Sequence, residues 1–104
     1  MTPTIKEWTT ALRSGEYDQG RASLHCDDSF CCLGVLCDLV DPDGWTAQED
    51  GHIWRDHEDL GLPPRPVLKA VGISYEQALS LASMNDNGCT FDQIADVIEK
   101  EYHL

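Results

Sequence analysis

His25, Cys26, Cys31, Cys32 and Cys37 fall within one short span, which gathers four of the five cysteines of this chain around an imidazole. A cysteine at the start of a helix has its thiolate favoured by the unpaired amides and the dipole there, and a nearby histidine can make it a nucleophile. Cys31 and Cys32, with His25, His52 or His57 as base, are the residues that would build such a Cys-His hydrolase centre. Against this, no local signature fixes the base, and cysteine in an apolar run is ordinarily a small buried hydrophobe. Cys31, Cys32 and His25 therefore stand as the catalytic candidates of a chain whose reading leans away from an enzyme. Zinc fares no better: the spacing is Cys-x4-Cys twice, interleaved, with no Cys-x2-Cys pair, and His52 and His57 do not share a helical face. No metal site and no cofactor are expected.

A second group of residues could bind rather than react. Tyr17, Trp45 and Trp54 offer aromatic faces, and Arg21 and Arg55 offer planar cations suited to a flat, negatively charged molecule. The run Asn85-Asp86-Asn87-Gly88 has more polar side chains than turn chemistry requires, so Asn85 and Asp86 join the candidate ligand-binding set. Nineteen acidic residues face seven Lys and Arg, for a net charge of −12. A surface this acidic opposes a nucleotide unless its few cations are focused into one cleft.

The elements that must position these groups are written in the local sequence. Thr4-x-x-Glu7, Ser74-x-x-Gln77 and Thr90-x-x-Gln93 are capping boxes that open helices. The first carries Ile5, Trp8, Ala11 and Leu12 on one face and stops at Gly15. The last carries Phe91, Ile94, Ala95, Ile98 and Tyr102 in one stripe, with Cys89 and Ile94 as its hydrophobic staple. Gly15 to Gly20 reads as a connector, and Arg21 to Cys26 as a strand that turns at Asp27-Asp28-Ser29 onto Phe30-Cys31-Cys32. Cys31 to Val40 is the most apolar stretch and must be wrapped by the rest; from Leu33 onward it suits a buried helix ended by the Asp41-Pro42-Asp43-Gly44 turn. Asp38 is its single charge and, if buried, needs a partner, for which Arg13 and Arg21 are the nearest in type. Trp45-Thr46-Ala47 and His52-Ile53-Trp54 form the arms of a second hairpin. Asp56 to Pro66 reads as a stiff surface loop, Val67 to Val71 as a short helix ended by Gly72, and Met84 to Gly88 as a turn.

One hundred and four residues make a single domain, expected over 1–104 as a small α+β fold with short β-hairpins packed against three to four helices. The charge balance excludes sequence-reading of nucleic acid. No apolar stretch approaches the ~18 residues of a membrane span, and the start of the chain carries no secretory pattern. An odd number of cysteines without such a signal fits reduced thiols, so the expected location is the cytoplasm.

Several segments together resemble a widespread group of small bacteriophage and prophage proteins. They are Ala11-Leu-Arg-Ser-Gly15 followed by Tyr17 and Gln19-Gly20, the Cys31-Cys-Leu-Gly-Val-Leu-Cys-Asp-Leu39 motif, and Asn85-Asp86-x-Gly88 followed by Phe91, Ile94, Ala95-Asp96 and Ile98-Glu99. The resemblance implies expression inside an infected bacterial cell and supplies no catalytic residues. The function expected from it is that of an accessory anti-defence protein that sequesters a small nucleotide-derived signal. The alternative is an acidic inhibitor that occupies a basic surface of a host defence protein, as a mimic of DNA charge. A homo-oligomer is compatible with either reading.

Overall fold

The computed structural model describes residues 4–20, 24–26, 29–48, 51–54 and 62–101, with backbone alone at 26, 47–48 and 51–54. Arg21, Arg55, His57 and Tyr102 lie outside the described residues. Helices α1 (Ile5–Arg13), α2 (Cys32–Val40), α3 (Arg65–Val71), α4 (Tyr75–Asp86) and α5 (Phe91–Glu101) carry most of the fold, with five short strands between α1 and α3. The class is the small α+β arrangement that the patterning indicates.

Helix α2 is the centre. Leu33, Val35, Leu36 and Cys37 have no exposed surface, and the large aliphatic ones each contribute about 1.5–3 kcal/mol by leaving water. It touches α1, α3 and α4, while α5 closes over α1 and α4. Trp8 of α1, also fully buried, satisfies its indole N–H on the Cys32 carbonyl at 2.9 Å. Gly34 sets how close the chain can come: a Cβ there would stand 1.7 Å from the Leu24 carbonyl oxygen, so only glycine allows the segment before β2 to cross α2. That same carbonyl accepts the Cys31 amide at 3.1 Å.

The helix starts follow their caps. Thr4 with Glu7 and Ser74 with Gln77 form reciprocal capping boxes, and Thr90 with Gln93 makes both bonds of a third. Gly15 and Gly72 take positive φ just past α1 and α3. After α2, the Gly44 amide closes on the Asp41 carbonyl at 3.1 Å, the expected turn. Arg13 joins α1 to α5 through Asp96 at 2.7 Å and Glu99 at 2.6 Å. Those bonds hold the guanidinium above its ordinary pKa; Arg13 first and then Thr9 hold the Glu99 carboxyl below its own.

Strand β4 (Trp45–Gln48) pairs antiparallel with β5 (Gly51–Trp54), with Trp45 opposite Trp54 and Gln48 opposite Gly51, the hairpin read from the sequence. The other sheet corrects that reading in two places. Of the expected Arg21–Cys26 strand, 21–23 lie outside the described residues and Leu24 is a bend; His25–Cys26 (β2) pairs antiparallel with Ser29–Phe30 (β3), and the chain then enters α2 at once, with Cys31 as its N-cap and not a strand residue. Asp18–Gln19, read as connector, is strand β1, parallel to β3 on its other edge. Two elements are longer than their turn signals suggest. Pro66 lies in the first turn of α3, where its missing N–H costs nothing, and Pro63 is buried rather than on a surface loop. Helix α4 runs on through Asn85 and Asp86, so the turn is confined to Asn87 and Gly88.

Candidate functional site

The thiols come first, since Cys31 and Cys32 are the nucleophile candidates of the sequence. Cys31 does cap a helix N-terminus: its Sγ accepts the Gly34 amide at 3.4 Å. It is nonetheless 3% exposed, and burial pushes its thiol up to about 11, further than the amides pull it down. Cys32 has no exposed surface, its thiol is pushed up by burial and then by Cys31, and its Sγ faces the Leu81 carbonyl at 3.7 Å. Neither is an accessible thiolate at neutral pH. Both thiols are buried, and desolvation outweighs the helix terminus. His25 is occupied elsewhere, its ring stacked on Phe30 at 3.9 Å and its Nδ1 2.9 Å from the Ser29 carbonyl. Among the described residues no three His, Cys, Asp or Glu side chains are placed to hold a metal ion.

Asp38 organises the aromatic candidates. Its carboxylate accepts from the Tyr17 hydroxyl at 2.7 Å and from the Trp45 indole N–H at 3.0 Å. The described partners are therefore neutral donors from two different segments; Arg13 is engaged by Asp96 and Glu99 instead, and Arg21 lies outside the described residues. Burial first, and then Asp38, raise the Tyr17 phenol well above its ordinary pKa. Around this anchor Tyr17 meets Phe30 edge-on at 5.1 Å, and His25 meets Trp45 at 4.9 Å. The result is a partly buried group of four rings drawn from β1's approach, β2, β3 and β4. Tyr17 and Trp45 are thus brought together, and Trp54 is the backbone partner of Trp45 across the hairpin.

Asn85 and Asp86 part company. Asn85 is fully buried: its Oδ1 accepts the Cys32 amide at 3.2 Å and the Gln19 side chain at 3.0 Å, and its Nδ2 donates to the Gly20 carbonyl at 2.7 Å. Gln19 continues the clip, donating to the Cys89 carbonyl at 2.6 Å and accepting the Phe91 amide at 3.1 Å. Both polar atoms of the Asn85 side chain are engaged in joining α4 to Gln19, Gly20 and α2, with Gln19 extending the clip to α5, so Asn85 stands as a buried structural hub. Asp86 is exposed at the end of α4.

A groove missed in the sequence lies where α3 turns into α4. Arg65, Leu68, Lys69, Ile73 and Tyr75 line a space of about 420 Å³. The Gly72 amide reaches the Lys69 carbonyl and the Ile73 amide reaches the Leu68 carbonyl at 3.1 Å, a Schellman closure that folds Ile73 back beside Leu68. Both are nearly buried and form an apolar floor, while Tyr75 stands 47% exposed beside it. The signal was present as Arg65-x3-Lys69 spacing followed by an aromatic helix start, but the prolines at 63, 64 and 66 placed Arg65 in a loop ahead of a helix read from Val67 to Val71.

Residues 1–77 match the family described as a domain of unknown function, DUF8296, and the chain belongs to it. No curated protein and no solved structure matches it.

Proposed function

We propose that this DUF8296 protein is a non-enzymatic binder that sequesters a small nucleotide-derived signal of host antiphage defence inside the infected cell. The observation that carries this reading is the gathering of Tyr17, His25, Phe30 and Trp45 into one partly exposed aromatic cluster, while Cys31 and Cys32 are sealed in the core. Rings from separate segments, two of them fixed on the Asp38 carboxylate, offer a stacking surface that loses little entropy on binding. The phage setting follows from the resemblance of the central motif and the Asn85-to-Glu99 segment. Among the described residues no helix is long and apolar enough to cross a membrane.

Isothermal titration against cyclic dinucleotides and cyclic ADP-ribose isomers tests the proposal. Saturable binding to one of them, weakened by Trp45→Ala, is the expected result, and a flat trace across the panel removes it. The acidic balance of nineteen to seven supports a second reading, an inhibitor of a basic host protein surface. Capture of such a protein that collapses with added salt, without small-molecule binding, would favour that reading instead.

A further inference from the structure

We infer that the α3–α4 groove is an anion site that takes a phosphorylated small molecule carrying an aromatic ring, of the mononucleotide class. This goes beyond sequestration at the aromatic cluster and stands on other residues.

Charge is the first argument. In a chain with net charge −12 and nineteen acidic residues, Arg65 and Lys69 lie four apart on one face of α3 and line the same groove. Like charges at that spacing repel, and neither side chain takes an ion pair among the described residues; both salt bridges there belong to Arg13. A bound phosphate relieves that repulsion, accepting the planar guanidinium fork and the ammonium at once.

Shape and polarity supply the second argument. Leu68 and Ile73 give an apolar floor, and Tyr75, 47% exposed at the first position of α4, gives a ring at the rim. Ser74 and Gln77 lock that helix start, so the tyrosine is presented from a rigid backbone. A space of about 420 Å³ lies within the range of roughly 300–1,000 Å³ for small-molecule sites, and its contents are the usual ones, apolar walls with a few converging polar groups. Phosphate on the two cations with a heterocycle against Tyr75 and the floor uses every feature of the groove.

The test is an NMR titration of the full chain with adenosine 5′-monophosphate, beside adenosine, ribose 5-phosphate and inorganic phosphate. The expected result is saturable shifts at residues 65–75, with the nucleotide tightest because it alone engages cations and ring. R65A/K69A should weaken the nucleotide about tenfold or more while leaving adenosine unchanged. Y75L should weaken nucleotide and adenosine and spare inorganic phosphate. Both variants sit on exposed positions, and an unchanged circular dichroism melt keeps their effects interpretable. Absence of shifts at millimolar nucleotide, an R65A/K69A affinity equal to wild type, or shifts confined to Tyr17 and Trp45 would overturn the inference. A flat cyclic-nucleotide panel with this groove occupied would remove the sequestration reading alone, and the converse outcome would remove the groove alone.

Discussion

Asp38 shows how a single charge in an apolar helix is made tolerable. The carboxylate is partly buried, and two neutral donors supply what a cation was expected to supply. Hydrogen bonds to a charged group are worth about 1.5–3 kcal/mol each, so Asp38→Leu, which strands both donors, should lower urea-unfolding stability by about 2–4 kcal/mol. Asp38→Asn should lose much less, because its Oδ1 can still accept from Trp45 while its amide donates to the Tyr17 oxygen. In that variant the Tyr17 phenol should also titrate nearer its ordinary value, read by ultraviolet absorbance, since burial and the Glu16 charge then hold it up without Asp38. The cysteines make a second residue-scale prediction. A thiol whose folded pKa is raised contributes stability that is fully present below its unfolded value and is lost as pH rises through the folded one. For Cys31 that window runs from about 9.0 to about 11. Stability should therefore fall across it, with Cys32 and Tyr17 adding to the alkaline loss. At neutral pH iodoacetamide should leave Cys31 and Cys32 unmodified until denaturant is added; rapid labelling of the native protein would contradict their burial.

At the scale of elements, what could be read from sequence is what local chemistry decides. Thr4, Ser74 and Thr90 bond their own helices, so three starts were legible, as were the Asp41–Gly44 turn and the Trp45–Trp54 hairpin. Strand β1 was not legible, because two residues between glycines carry no periodicity and are held by Phe30, eleven positions on. Nor was the role of Asn85: its neighbours spell a turn, while its partners at Gln19, Gly20 and Cys32 are far away in the chain. The same holds for the candidate sites. Tyr17 and Trp45 could be named but not their common anchor, and the α3–α4 groove depends on Arg65 in the first turn of α3, which the prolines assigned to the preceding loop. The Asn85 hub predicts accordingly. Asn85→Ala would leave the Cys32 amide and the Gly20 carbonyl without their partners inside the fold and free Gln19 from one of its three bonds. A loss of about 3 kcal/mol is expected in chemical denaturation, with Asn85→Asp no better, since it replaces the donor to Gly20 with a buried charge. A change under about 1 kcal/mol in both would mean that the clip is dispensable.

Considered whole, the molecule closes on itself through elements that the family match does not cover. That match ends at residue 77, three residues into α4, whereas the core continues through Leu81, Phe91, Ile94, Ala95 and Ile98. Helix α5 packs mainly on α1, the first element, so the two ends of the described chain shield each other, and Trp8 and Leu12 depend on that cover. Asn85, beyond the match, holds the amide of the first residue of α2, the element at the centre. The four large side chains lost by stopping at residue 77, Leu81, Phe91, Ile94 and Ile98, contribute about 1.5–3 kcal/mol each on burial. That is comparable with the whole stability of about 5–15 kcal/mol expected for a domain of this kind. The fragment 1–77 should therefore show neither a cooperative thermal transition nor dispersed amide resonances, while the full chain shows both. A cooperatively folded fragment would mean that α5 is an addition to an already complete core, and that the Asn85 clip secures a surface instead of the centre.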